Sequence, residues 1–127
     1  MQYRREESFR YEFSAPLKST FKIIRISDAN VDSKEGEMYI LDISAGGVKM
    51  NTHLELPDPN KAKVEVEVEL QLAGKNLDVQ GAIVWKKPFG RSYHYGIDFS
   101  ITETESQELI KVLKEHIKYI QTKKEHE

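Results

Sequence analysis

The sequence predicts a mainly-β domain, a small closed antiparallel barrel finished by one amphipathic helix. Three observations carry this. Val64, Val66, Val68, Leu70 and Leu72 alternate with Glu65, Glu67, Glu69 and Gln71, a period of two that makes a strand with one wet face. Further β-rich runs of similar length precede and follow it, separated by Gly, Asn, Asp and Pro clusters. After Thr102 the period changes, and Leu109, Leu113 and Ile117 recur every four residues with Ile110 and Ile120 on nearly the same face. Short antiparallel strands favour closure, because a closed barrel has no exposed edges. The helix then plugs or flanks one end.

The elements follow in order. Leu17 to Ile26 is a run of β-formers that ends at the turn Ser27-Asp28-Ala29-Asn30. Glu37 to Ile43 predicts a second strand, Gly46-Gly47 interrupts it, and Val48-Lys49-Met50 resumes. Pro57-Asp58-Pro59-Asn60 is a loop. Beyond the Val64–Leu72 strand, Ala73-Gly74-Lys75-Asn76 reverses the chain, and Leu77, Val79, Gly81 and Ile83 continue the alternation on an antiparallel partner. Trp85 to Gly90 leads into another loop, and Tyr93 to Ser100 reads as the last strand. Thr102 and Glu105 match a capping box, in which each side chain satisfies a backbone amide of the first helical turn. Lys123 to Glu127 has nothing to bury and is expected to fray.

At 127 residues the chain fits one domain, and its 39% hydrophobic content supports one core. The expected organisation is a flexible arginine-bearing segment over residues 1–13, the barrel and helix over 14–121, and a disordered tail over 122–127. With no cysteine there is neither a disulfide framework nor a thiolate metal site. His53, His94, His116 and His126 lack metal-ligand spacing. No apolar run approaches the roughly 18 residues that span a bilayer, and the N-terminus lacks the apolar core of a secretory signal. A non-exported, cytoplasmic protein is expected, with no direct membrane insertion. The net charge of −2 argues against a nucleic acid polymer as ligand, and a single-stranded nucleic-acid barrel ranks well behind the other readings. For catalysis, Ser44 has no evident histidine partner and no nucleophile elbow appears, so no enzyme is expected.

Arginine is concentrated at one end. Arg4, Arg5 and Arg10 are three of five, the others being Arg25 and Arg91. A guanidinium fork matches phosphate and stacks on a base. Further on, Asp42-Ile43-Ser44-Ala45-Gly46-Gly47 offers a carboxylate that can accept from the N1 and N2 donors of guanine, and glycines that let a ligand approach backbone. On local chemistry alone the same stretch is a bend between strands. Trp85 is expected to pack in the core or at the barrel rim, and Lys86-Lys87 to be a solvated strand end.

Taken in order, the N-terminal arginine pair, Asp42 to Gly47, Ala82-Ile83-Val84-Trp85-Lys86-Lys87-Pro88 and Tyr95-Gly96-Ile97-Asp98-Phe99 resemble a PilZ domain, over Tyr3 to about Ile120. That resemblance implies a six-stranded antiparallel barrel and binding of the bacterial second messenger cyclic diguanylate (c-di-GMP). It also implies roles: Arg4, Arg5 and Arg10 for phosphate and guanine, Asp42 and Ser44 for the base edge, Gly46 and Gly47 for close approach. The first arginine departs from the family's Arg-x-x-x-Arg pattern, since Arg5 and Arg10 have four residues between them. In an extended segment, residues an odd number apart face opposite sides. Either a bulge near Glu7-Ser8 restores parity or the site uses Arg4, six residues from Arg10.

The leading expectation is a stand-alone c-di-GMP receptor that orders its N-terminal segment on the ligand and signals through a protein partner. The alternative is a protein-interaction module of the same fold that has lost nucleotide binding through the altered arginine spacing and the carboxylates of Glu6 and Glu7. On that view the C-terminal helix offers a docking or homodimer surface.

Overall fold

The computed structural model describes the backbone of residues 9–125 and side chains through Thr122. Seven antiparallel strands run in order: β1 (Arg10–Ile26), β2 (Ala29–Asn30), β3 (Gly36–Ser44), β4 (Gly47–Thr52), β5 (Val64–Leu72), β6 (Lys75–Phe89) and β7 (Ser92–Phe99). The helix α1 (Glu103–Glu125) follows. The spatial order is β1-β3-β4-β7-β6-β5, and β5 pairs back onto β1, so six strands close a barrel. The two-residue β2 only extends the hairpin at the end of β1.

Tight turns make the closure compact. Ser27 and Asp28 both have positive φ (48° and 71°), as do Ala73 and Gly74 (52° and 75°), the backbone that matches a two-residue turn to strand twist. The long alternation behaves as expected: Val64, Val66, Val68, Leu70 and Leu72 are fully buried, and the intervening carboxylates face outward. Two boundaries differ from the sequence reading. β1 starts at Arg10, because Tyr11 and Phe13 pack inward and Arg10 to Glu12 pair with Asp42 to Ser44; residues 10–13 thus belong to the barrel. Trp85 to Phe89 is strand rather than loop, since every residue from Trp85 to Phe89 has a partner on β7. Its weak alternation hid it.

Three strands depart from strict pairing. Glu12 to Leu17 on β1 spans only Asp42 to Ile40 on β3, a wide bulge that accommodates Pro16. On β3 Leu41 is an extra residue against β4, and on β6 Val84 is an extra residue against β7.

The helix is capped as predicted: the Thr102 N–H donates to Glu105 Oε1 (2.8 Å) and the Glu105 N–H donates to Thr102 Oγ1 (3.1 Å). Leu109, Val112 and Leu113 are its buried apolar residues, with Ile117 and Ile120 packed at the margin. Its backbone continues through Glu125. His116 completes the docking, its Nδ1 accepting the Ala73 N–H at 2.9 Å. That bond requires an unprotonated Nδ1, and burial lowers the His116 pKa below 6.5. The unfolded chain therefore binds the proton first, so this contribution is complete above about pH 6.5 and is lost as pH falls through the lowered native pKa. The slope of unfolding free energy with pH over that window should flatten in His116→Ala. Glu65, whose pKa is lowered by its hydrogen bonds from Arg25, loses its contribution only at more acid pH, below its ordinary 4.5.

One tyrosine fastens the long β4–β5 connection. The buried Tyr95 hydroxyl donates to the Leu54 carbonyl (2.9 Å) and accepts the Leu56 N–H (2.8 Å), and Lys86 Nζ donates to the Leu56 carbonyl (2.8 Å). Burial raises the Tyr95 pKa, so the phenol stays neutral. Tyr95→Phe should destabilise the fold by about 1–3 kcal/mol, because two backbone groups lose their partner. Denaturant unfolding, with faster amide exchange at Leu56, would register it.

Candidate functional site

Two bulges build the site. Were Leu41 a regularly paired strand residue, strict alternation would place Asp42 on the same face as the buried Ile40; because Leu41 is bulged, Asp42 turns outward opposite Lys49. Were Val84 regularly paired, Trp85 would share the inward face of Ile83; because Val84 is bulged, Trp85 turns outward opposite Gly96. Asp42 pairs with Lys49, Lys49 with Gly96 and Gly96 with Trp85. These four residues form one rung across β3, β4, β7 and β6, about 14 Å long at the usual strand spacing.

A cavity of about 320 Å³ sits on that rung, its rim completed by Arg10, Ser44 and Asp98. Alternation on β1 explains how Arg10 arrives. Phe9 and Phe13 turn toward α1, where Lys114 Nζ lies 5.3 Å from the Phe9 ring and His116 meets Phe13 edge-on. Arg10 therefore faces the other way and pairs with the Asp42 carboxylate. The Asp42 side chain is 10% exposed and the Arg10 side chain 48%, so the carboxylate is held in place while the guanidinium keeps an open flank.

The remaining motif residues have local work. The Ser44 hydroxyl accepts the Gly46 N–H (3.2 Å) and the Gly46 carbonyl accepts the Phe99 N–H (2.8 Å), which fixes the β3–β4 bend against β7. A Cβ on Gly47 would lie 2.1 Å from the Ile97 carbonyl oxygen, so β4 and β7 approach too closely for any side chain there. Gly96 serves Trp85, since a Cβ at Gly96 would lie 2.1 Å from the indole nitrogen. The indole lies on bare backbone, 38% exposed toward the cavity.

The structure thus brings Arg10, Asp42, Ser44, Gly46 and Gly47 to one place. Arg4, Arg5 and the bulge expected at Glu7-Ser8 lie outside the described residues. Lys49, Trp85 and Asp98 are additions that sequence reasoning did not assign to a site. The signal for Trp85 lay in the sequence as a mismatch: Ile83-Val84-Trp85 cannot alternate without exposing or burying the wrong residue. For Lys49 and Asp98 only the strand register carries the information.

Chemically, two cations, two carboxylates and an aromatic face surround a polar cavity, and none of the described residues forms a cluster able to hold a metal. Such a site suits recognition of a base that carries phosphate. The PilZ domain family, a c-di-GMP receptor family, matches residues 4–115, and the chain belongs to it. Among solved structures it is similar to the Bacillus subtilis inhibitor of motility MotI/DgrA, with a TM-score of 0.55 and 15% identity over 90% of this chain. The chain spans 50% of that protein's length. No curated protein matches the sequence. No helix among the described residues is long and apolar enough to cross a membrane.

Proposed function

We propose that this protein is a c-di-GMP receptor of the bacterial cytoplasm that passes its signal to a protein partner. The observation that carries this reading is the rung Asp42–Lys49–Gly96–Trp85 with Arg10 at its rim, in a chain of the PilZ family. The cyclic dinucleotide has the matching parts. Arg10 and Lys49 are placed for phosphate, Asp42 and Asp98 for the N1 and N2 donors of guanine, and the Trp85 indole for a base plane. Arg4 and Arg5 would add their forks from the preceding segment, and Ser44, Gly46 and Gly47 hold the bend that carries Asp42. Ordering of the arginine segment would alter one surface, and a partner would respond by no more than its differential affinity for the two states.

The Arg10–Asp42 ion pair favours a second reading, the protein-interaction module without nucleotide, because it already satisfies two groups of the site. One titration separates the two. Calorimetry with c-di-GMP, against GTP and cyclic AMP, should give selective saturable binding, with a parallel change in the fluorescence of Trp85, the single tryptophan. Heat-silent mixing with unchanged melting temperature would sink the receptor reading in favour of the second.

A further inference from the structure

The rung that carries the cavity has a neighbour. Two residues along β4, Asn51 pairs with Tyr39 on one side and His94 on the other, and His94 pairs with Lys87. Tyr39, Asn51, His94 and Lys87 therefore form a second rung on the same outer face, about 7 Å from the first. Phe89 lies flat against His94, ring centroids 4.2 Å apart and planes 18° apart. Phe89 is 60% exposed and Tyr39 43%. With Pro16 and Leu41 they line a shallow apolar groove. A contiguous exposed patch of this kind, unlike a lone surface leucine, calls for a covering partner.

Charge narrows the choice of partner. Lys87 stands on the second rung, Arg91 lies in the turn between Phe89 and Ser92, and Lys49 closes the side toward the cavity. Among the described residues none of these three cations has an ion-pair partner, whereas Glu37 near Tyr39 is matched by Lys18 at 3.9 Å. The groove thus has an aromatic floor and, in Lys87 and Arg91, a positive rim without ion-pair partners among the described residues. Its size and aromatic content fit an anchor side chain in a pocket ringed by polar contacts.

We propose that this face docks an acidic protein segment, one that inserts an aromatic or leucine side chain against Phe89, His94 and Tyr39 and sets its carboxylates on Lys87 and Arg91. A polynucleotide would need a basic track that continues round the barrel. Past β1 the surface turns acidic instead, with Glu35, Glu67, Glu69 and Asp78 around Lys22. The inference does not depend on what fills the neighbouring cavity.

The test is selection of a phage-displayed 12-residue peptide library on the immobilised full chain, with the triple variant Lys87→Glu, Phe89→Ser, Arg91→Glu as counter-target. All three positions are exposed and outside the cavity. The expected winners are net-negative peptides with an aromatic or leucine, shifting the amide resonances of Tyr39, Phe89 and His94, and losing about tenfold or more in affinity for Phe89→Ser alone. Winners without negative charge, winners that bind the triple variant equally, or no enrichment would overturn the proposal. So would a single-stranded oligo(dT) that shifts the same resonances, or self-association abolished by the triple variant, which would assign the face to nucleic acid or to a second copy. Because the selection is run without c-di-GMP, its failure and a silent nucleotide titration are separate results.

Discussion

Arg10→Ala is expected to weaken c-di-GMP binding by about 10- to 100-fold while leaving the barrel folded. A hydrogen bond to a charged group contributes about 1.5–3 kcal/mol, and each 1.4 kcal/mol is about tenfold in affinity. Arg10 is positioned to make such a bond without unfolding anything, because its side chain is half exposed and its backbone is fixed by pairing with Ser44. The free protein already spends this guanidinium on Asp42, so binding exchanges one partner for another, and the observed loss is the difference between the two. Asp42→Ala tests the other half of that exchange. It removes the acceptor for guanine but also releases Arg10, and its loss should be smaller, about tenfold. Arg10→Lys keeps the charge without the planar fork and should fall between wild type and alanine. Calorimetry on the four proteins, with melting curves to verify folding, gives the three losses, and the Arg10→Ala/Asp42→Ala double variant closes the cycle. An Arg10→Ala protein that binds within twofold of wild type would remove Arg10 from the site.

The fold was legible because several local signals agreed. The valine-glutamate alternation of β5, the Ala73-Gly74 reversal and the Thr102/Glu105 cap each named an element, and each holds in the structure. The site was legible only in part, because it depends on irregularities that a period of two cannot express. Leu41 and Val84 look like ordinary strand residues, yet as bulges they turn Asp42 and Trp85 to the outer face. Trp85 was accordingly expected in the core or at the rim. Lys49 and Asp98 enter the cavity only through pairing of β4 with β7, a contact between residues far apart in the chain. Tyr95 shows the same limit from the other side: its alternation marks it as a core residue, but nothing local reveals that its hydroxyl reaches Leu54 and Leu56.

Gly47→Ala is expected to cost the fold about 3 kcal/mol, the upper end of ordinary overpacking, and to lower the melting temperature by roughly 10 °C. The reason is the identity of the obstacle. The added Cβ would meet the Ile97 carbonyl oxygen at 2.1 Å, a backbone atom in a strand paired on both sides, so no rotamer change can relieve the contact. β4 and β7 would have to separate at the rung Gly47↔Asp98, next to the rung that carries Lys49 and Trp85. Gly74→Ala offers the contrast, since nothing lies within 4 Å of its Cβ and the only penalty is the left-handed backbone, about 1–2 kcal/mol. The motif glycine has two candidate reasons to exist, room for a ligand and room for a strand, and this pair of variants separates them. If the sheet explanation is right, Gly47→Ala melts far earlier than Gly74→Ala, and whatever fraction stays folded binds c-di-GMP with its cavity distorted. A Gly47→Ala protein that melts like wild type but no longer binds nucleotide would show instead that the glycine is there for the ligand.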